Sequence, residues 1–122
     1  KPLVSIMAQA SASHEPEWFT TAPLKAISST LKKGNLNSND IDLWEINEAF
    51  GPVVMAAIKE YKLDHNKVNI HGGAIALGHP IGCSGARILT TLIHAMIKRE
   101  ARTGLATLCI GGGEASAILV RR

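Results

Sequence analysis

The sequence predicts an α/β fold, a mixed five-stranded sheet with helices on both faces in the order βαβαβαββ. Short apolar runs alternate along the chain with segments whose apolar residues recur at helical spacing. This alternation is typical of parallel strands joined by helical crossovers. Near the carboxyl end, two apolar runs follow each other across a glycine-rich turn, which predicts a hairpin-like terminal pair. With 122 residues, 46% of them hydrophobic, the chain is long enough for one domain with its own core.

The first half of the chain predicts a strand, a helix and a second strand. Residues 3–12 form a run that predicts a buried strand, and residues 16–23 predict a polar connection. The helix that follows has a basic last turn and ends at Gly34. Its apolar face comprises Leu24, Ile27 and Leu31. Residues 41–46 favour a short strand that is buried on both faces.

The second half contains the two clearest helices. The apolar face of the first comprises Phe50, Val53, Val54, Ala57, Ile58 and Tyr61. The apolar face of the second comprises Ile88, Leu89, Leu92, Ile93, Met96 and Ile97. Ser84 is the predicted N-cap of the second helix. Between the two helices, residues 69–70 precede a glycine-rich segment. They are predicted to form either a fifth strand or a loop. Residues 105–110 and 115–120 predict the terminal strands.

Composition argues against several classes of partner. The net charge is +3 but the basic residues are scattered, so no nucleic-acid partner is predicted. No apolar run is long enough to cross a bilayer, so no membrane partner is predicted. Cys83 and Cys109 form no CxxC pair, which predicts a reducing, cytoplasmic location. The five histidines lack metal-ligand spacing, so no metal site is predicted. Because the first residue is a lysine, we expect a segment of a longer protein.

Residues 72–85 are the most informative segment, because five glycines and one proline surround His79. Glycine allows close backbone approach and proline fixes φ, which together would hold a histidine in one place. Histidine titrates near neutral pH and suits proton transfer. A structural loop histidine is the alternative, but the density of glycine favours a functional role.

Two further positions lie where predicted strands end, which is where α/β proteins place their sites. Cys109 precedes three glycines, and either an acid/base role or simple burial is compatible with its position. Asn47 and Glu48 join a strand to a helix and could point into one cleft or cap the helix. Cys83 is better explained as a packing residue. A histidine, a cysteine and an asparagine over glycine-rich backbone suit carbonyl chemistry.

The chain resembles the C-terminal half of the thiolases, the acyl-CoA C-acetyltransferase family. Three motifs carry the resemblance, in matching order and spacing, and it extends from about residue 2 to the end. The motifs are Asn47-Glu48-Ala49-Phe50; Asn69-x-x-Gly72-Gly73-Ala74-x-Ala76-x-Gly78-His79-Pro80-x-Gly82-x-Ser84-Gly85; and Gly104-x-x-x-x-Cys109-x-Gly111-Gly112-Gly113. The resemblance implies that residues 1–122 are a thiolase C-terminal domain, without the N-terminal domain and the CoA-binding loop.

The resemblance also implies a role for each matching residue. His79 would activate a nucleophilic cysteine and help to form an oxyanion hole, in which Asn47 would hold a water. Cys109 would be the acid/base at the acetyl carbon, and the Gly111 amide would serve a second oxyanion hole. Substrate contacts are expected at Ala49, Phe50 and Phe19. The nucleophilic cysteine belongs to the family's N-terminal half, so the chain alone is expected to be inactive.

The implied reaction is ping-pong acyl transfer, which cleaves 3-ketoacyl-CoA or, in reverse, condenses acyl-CoA with acetyl-CoA. CoA thioesters would be substrates, and no cofactor is expected. The implied partners are an N-terminal thiolase domain and, in the full-length enzyme, further copies in a homo-oligomer, with a place in fatty acid metabolism. Phe19 lies in a loop that departs from the pattern of acetoacetyl-CoA-type members, which leaves the acyl chain length open.

Two alternatives remain open. A ketoacyl synthase of the same superfamily would act on carrier-protein thioesters, although Cys109 before three glycines argues against it. A non-catalytic binding module could keep the fold, although the intact His79, Cys109 and Asn47 argue against loss of function.

Overall fold

The computed structural model describes residues Lys1–Arg122, which form four strands and four α-helices. The strands are β1 (Ser5–Ser13), β2 (Leu43–Ile46), β3 (Thr103–Ile110) and β4 (Glu114–Arg121). The helices are α1 (Ala22–Gly34), α2 (Gly51–Tyr61), α3 (Ala74–Leu77) and α4 (Ser84–Arg99). Short 3-10 helices occupy Pro16–Thr21, Ser38–Asp40 and His65–Lys67.

The strands form one mixed sheet in the order β1-β4-β3-β2. β2 runs parallel to β3, with Ile46 opposite Thr107, whereas β4 pairs antiparallel with both β3 and β1. The crossover from β2 to β3 carries α2, α3 and α4, as helical crossovers between parallel strands require. The α/β class and the mixed sheet are therefore confirmed.

The prediction of five strands is wrong, because residues 69–70 do not continue the sheet. Val68 makes one isolated bridge to Trp44, and Asn69 then turns the chain away with φ 47°. The Asn69 side chain takes the place of a fifth strand. Its Oδ1 accepts from Ile46 N and its Nδ2 donates to Ile46 O, each at 2.8 Å. One side-chain amide thus satisfies the backbone groups of β2 that a neighbouring strand would have used.

Helices cover both faces of the sheet, as predicted. α1 and α2 pack on one face, where Ile27, Val53 and Leu105 belong to the larger core cluster. α4 packs on the opposite face, where Leu92 and Ala106 belong to a second cluster. Leu105 and Ala106 are neighbours in β3, so the two-residue period of a strand sends their side chains to opposite faces.

β1 departs from the predicted buried strand, because it lies at the sheet edge. Ala10 is its only buried residue, and Ile6 is 65% exposed. β1 pairs with β4 alone, so its other edge has no neighbouring strand in this chain. Residues 16–23 also differ from the predicted connection, since Pro16–Thr21 form a 3-10 helix and residues 22–23 already belong to α1. None of the helices combines the length and apolar character needed to span a membrane.

Candidate active site

The carboxyl ends of β2 and β3 lie side by side and bring the sequence-predicted residues together. The backbone N–H of Asn47, just beyond β2, donates to Thr107 O at 2.9 Å. Cys109 lies two residues farther along β3, where the strand opens into the glycine turn. Parallel pairing therefore places an amide and a thiol at one edge of the sheet, although 62 residues separate them in sequence.

A cavity of about 390 Å³ opens at this edge. Nine residues line it: Phe19, Ala49, Phe50, His79, Ile81, Leu108, Cys109, Ile110 and Gly111. Six of them were singled out from sequence, and most of the lining is apolar. An apolar cavity with few polar groups is the usual form of a small-molecule site. Asn47 does not line the cavity but lies buried behind His79.

His79 is held in a defined orientation by Ser84. The His79 Nδ1 and Ser84 Oγ atoms lie 2.6 Å apart, and Ser84 Oγ donates to Pro80 O at 3.2 Å. A serine hydroxyl has one hydrogen, so the hydrogen between Nδ1 and Oγ belongs to Nδ1. Neutral His79 therefore carries its lone pair on Nε2, which makes Nε2 the basic atom. Ser84 was predicted as an N-cap, but Cys83 occupies that position without a side-chain cap bond.

Asn47 is fully buried and lies between two polar side chains. Its Nδ2 is 3.5 Å from His79 Nε2, and its Oδ1 accepts from Arg87 Nη2 at 3.5 Å. The amide thus contacts the basic nitrogen of His79 with a donor group, which is the arrangement that an unprotonated Nε2 requires.

Cys109 is a buried free thiol. Burial raises the pKa of Cys109 above its usual value, because a low-dielectric surrounding disfavours the thiolate, and a hydrogen bond to its own backbone opposes this only in part. At neutral pH the thiol holds its proton. This is the form that a general acid needs before it donates.

Glycine is required at one end of the turn after β3 but not at the other. Gly113 has φ 85°, and a Cβ there would lie 2.2 Å from His14 O. Gly111 lines the cavity, and a Cβ there would meet nothing within 4 Å. Gly113 therefore fixes the path of the turn, whereas Gly111 presents bare backbone to the cavity.

Two aromatic side chains form one wall of the cavity. The rings of Phe19 and Phe50 meet edge to face, with centroids 5.9 Å apart and planes at 69°. Phe50 was expected on the buried face of α2, yet it precedes the helix and is 57% exposed. Ala49, the preceding residue, lines the cavity as well.

Glu48 turns away from the cavity, so only one of the two residues offered for a shared cleft contacts His79. Its Oε2 accepts from Ile75 N at 3.1 Å, and its Oε1 accepts from Asn69 Nδ2 at 3.3 Å. A Cβ on Gly73 would lie 2.3 Å from the Glu48 carboxyl carbon. Glu48 thus binds the start of α3 and uses the space that Gly73 leaves open.

Sequence reasoning missed Glu45 and Arg87. Glu45 is 2% exposed, and its Oε2 lies 3.6 Å from Arg87 Nη1. Burial raises the pKa of Glu45 to about 7; Arg87 opposes this rise and Glu48 adds to it. The sequence carried a signal, since a carboxylate inside a strand predicted to be buried on both faces needs a charged partner.

A larger cleft lies away from this site. Its volume is about 490 Å³, and Leu31, Lys32 and Tyr61 are among its lining residues. It contains none of the candidate catalytic or substrate-binding residues predicted from the sequence. Cys83 is exposed and does not line the 390 Å³ cavity. No group of three or more histidine, cysteine or acidic side chains is arranged to hold a metal ion.

The chain is similar to known acetyl-CoA acetyltransferases over its whole length. It is 50% identical over 122 residues to the mitochondrial acetyl-CoA acetyltransferase of Rattus norvegicus and 48% identical to the acetyl-CoA acetyltransferase of Allochromatium vinosum. All of this chain is covered in both comparisons, but only 28% and 31% of the respective relatives. The chain thus spans less than a third of the curated relatives that it matches.

Solved structures agree with the sequence comparison. The human mitochondrial 3-ketoacyl-CoA thiolase superposes with a TM-score of 0.96 at 40% identity. The acetyl-CoA acetyltransferase of Bacillus anthracis superposes with a TM-score of 0.96 at 42% identity. Each comparison covers 99% of this chain and 31% of the solved chain.

The predicted cytoplasmic location is corrected by these relatives. The acetyl-CoA acetyltransferases of rat, Bos taurus and Homo sapiens are mitochondrial. Unpaired cysteines indicate only that a protein uses no disulfides, and they do not distinguish one reducing compartment from another.

The family assignment rests on sequence as well as on fold. A sequence profile described as "Thiolase, C-terminal domain" matches residues 1–122. The chain therefore belongs to the thiolase family, as a C-terminal domain.

Proposed function

We propose that this chain is the C-terminal catalytic part of an acyltransferase that works on CoA thioesters. The reaction is cleavage of 3-ketoacyl-CoA by CoA, or in reverse the condensation of acyl-CoA with acetyl-CoA. The observation that carries the proposal is one apolar cavity lined by both His79 and Cys109, with Asn47 behind His79. The members of this set come from separate segments of the chain, and a packing role alone does not account for their meeting.

His79 is the proposed base for a nucleophilic cysteine outside this chain. Its Nε2 carries the lone pair, since Ser84 accepts the hydrogen on Nδ1. The thiol proton of that cysteine passes to Nε2 as its sulfur bonds to the keto carbon of the substrate. Protonated His79 and a water held by the Asn47 amide form the oxyanion hole for the thioester oxygen, which becomes negative when acetyl-CoA leaves as its enolate.

Cys109 is the proposed acid that protonates the departing acetyl-CoA. When the bond between the keto carbon and the acetyl unit breaks, its electron pair remains on the carbon of the departing acetyl-CoA. The raised pKa of Cys109 keeps a proton on sulfur that this carbon can take. The backbone N–H of Gly111 serves the other oxyanion hole, in which it stabilises the oxygen on the keto carbon that the cysteine attacks. In condensation the same thiolate removes the proton.

The cavity wall supports an acyl substrate. Phe19, Phe50 and Ala49 form an apolar surface beside His79, on which an acyl chain and its pantetheine arm would pack. CoA thioesters enter as substrates, and the proposed chemistry needs no cofactor. Fatty acid metabolism is the setting that we propose for such a reaction.

An N-terminal thiolase domain is the proposed partner of this domain, and the full-length enzyme is proposed to be a homo-oligomer. Three large apolar side chains in the segment around His79 are exposed, with Ile75 72%, Leu77 60% and Ile81 84% exposed, and Ile81 also lines the cavity. Such a patch is typical of an interaction surface. A domain without the nucleophile would have no turnover alone.

Thiolysis of acetoacetyl-CoA by the full-length protein tests the proposal. Cys109→Ala and His79→Ala are each expected to lower kcat by roughly 100-fold or more, since each removes a proton-transfer group. Cys83→Ala is the matched control, because this exposed cysteine does not line the cavity, and its kcat should equal that of the wild type. Full activity of Cys109→Ala would contradict the proposal and favour a non-catalytic module, and turnover by residues 1–122 alone would contradict an external nucleophile.

A further inference from the structure

Behind the cavity, a buried ion pair contacts the side of Asn47 that faces away from His79. Glu45 is on β2, two residues before Asn47, and Arg87 is in the first turn of α4. Arg87 Nη1 lies 3.6 Å from Glu45 Oε2, while Arg87 Nη2 donates to Asn47 Oδ1. The Arg87 side chain is 18% exposed and that of Glu45 is 2% exposed. One guanidinium therefore joins a buried carboxylate to the amide that contacts His79.

The chemistry of the two neighbours permits only one orientation of the Asn47 amide. A guanidinium has donors and no acceptor, so Asn47 Oδ1 must face Arg87. The Nε2 atom of His79 is an acceptor, because the ring hydrogen is on Nδ1, so Asn47 Nδ2 must face it. If the Asn47 amide were flipped, its hydrogens would face the donors of Arg87, and its oxygen would face the lone pair of His79 Nε2.

Packing alone does not select that orientation. The oxygen and the nitrogen of an amide have nearly the same size, so a buried asparagine can turn over without a steric penalty. In its ionised form Glu45 attracts the guanidinium, and burial keeps water from replacing that contact. Arg87 Nε and Nη1 and Glu45 Oε1 have no hydrogen-bond partner, so the contact to Asn47 is the one hydrogen bond that the guanidinium makes to a side chain.

We propose that Arg87, anchored by Glu45, is a positioning residue that fixes the Asn47 amide with Nδ2 toward His79 Nε2. This inference rests on the proposed function, because a correctly directed amide matters for turnover only if His79 and Asn47 act on a thioester. Arg87 does not line the cavity, and its side-chain hydrogen bond goes to Asn47 and not to His79, so its effect is indirect.

Arg87→Met tests the inference in the full-length protein. We expect kcat to fall about tenfold or more with KM nearly unchanged, because a misdirected group beside the reacting atoms lowers the rate without removing substrate contacts. Arg87→Lys keeps a head group that only donates and should retain more of the kcat. Arg99→Met is the matched control, an exposed arginine on the same helix, and should leave both constants unchanged.

The double variant Glu45→Met/Arg87→Met separates positioning from stability. Arg87→Met alone leaves the buried Glu45 carboxyl without its partner and should lower the midpoint of thermal unfolding. Replacing both side chains with apolar ones removes that carboxyl and should restore the midpoint. It does not restore the donor to Asn47, so kcat should stay low. Recovery of kcat together with the midpoint would overturn the proposal and leave the pair a purely structural role.

A spectroscopic measurement tests the inference independently of turnover. With ¹⁵N-labelled asparagine, the Asn47 side-chain amide resonances should shift in Arg87→Met and remain in place in Arg99→Met. Unchanged resonances in Arg87→Met would overturn the positioning role. If the wild-type protein turns over no thioester, the proposed function fails, and these resonances still decide whether Arg87 orients the amide.

Discussion

Glu45 gives the most specific prediction about stability and pH. Its pKa is raised from 4.5 to about 7, first by burial and further by Glu48, against the opposing charge of Arg87. Between these two pH values the folded chain retains a proton that the unfolded chain releases. The free energy of unfolding should therefore fall as pH rises through this window, by up to about 3 kcal/mol from this group. Below pH 4.5 the contribution is fully present.

Glu45→Gln should remove that slope, because glutamine has no proton to release. The measurement is urea unfolding of wild type and variant between pH 4.5 and 8, in which the difference between the two profiles isolates Glu45. Asp42 does not interfere. Burial raises its pKa, but hydrogen bonds from the Thr103 and Arg102 amides and the Thr103 hydroxyl outweigh this and lower it overall. Its contribution is lost only as the pH falls below its ordinary 3.8.

Direct titration of the Glu45 carboxyl by ¹³C NMR checks the cause of the shift. Arg87→Met should raise the pKa of Glu45 further, and Glu48→Gln should lower it, because these two side chains act on it with opposite sign. Parallel stability profiles for wild type and Glu45→Gln, together with an ordinary Glu45 pKa, would refute the account of Glu45 as a buried carboxyl under charge control.

Three further predictions concern the segments that hold the site. Gly113→Ala should destabilise the protein by about 2 kcal/mol or more in denaturant unfolding, because Gly113 has φ 85° and a Cβ there would collide with His14 O. Gly111→Ala has open space around it and should change stability by less than about 0.5 kcal/mol, so equal losses for the two variants would contradict this assignment. Asn69→Ala should lower the free energy of unfolding by about 2–4 kcal/mol in thermal unfolding, because the N–H and the C=O of buried Ile46 both lose their partner. A loss below about 0.5 kcal/mol would argue against the role of Asn69 as a replacement for a strand. Ser84→Ala should leave the tautomer of His79 unfixed, so the ¹⁵N chemical shifts of the His79 ring should move toward those of a mixture of the two tautomers. Unchanged shifts would show that a group other than Ser84 sets the tautomer.

The periodic parts of the fold were predictable because their signal is local. Apolar spacing identified α1, α2 and α4, and the two terminal strands followed from one glycine-rich turn. Asn69 shows where such reasoning ends. A strand of two residues and a side chain that replaces it have the same local pattern, and only the contact with Ile46 distinguishes them.

The site divides in the same way. Sequence motifs identified His79, Cys109 and Asn47, because glycine-rich backbone and strand ends indicate where chemistry is placed. Ser84 was assigned to helix capping, since its contact with His79 depends on how the Pro80 turn closes. For Glu48 the sequence left a position in the cleft and a helix-capping role open, and the structure shows it at the start of α3, over the space that Gly73 leaves.

By itself, the sequence determined the α/β class, the family and the residues that meet at the cavity, because these depend on short motifs and their spacing. Tertiary structure decided the number of strands, the proton-bearing nitrogen of His79 and the buried pair that contacts Asn47. Hydrogen bonds and ion pairs act over a few ångströms in space between residues far apart in sequence. Glu45 and Arg87 are such a pair, and folding alone brings them together behind the site.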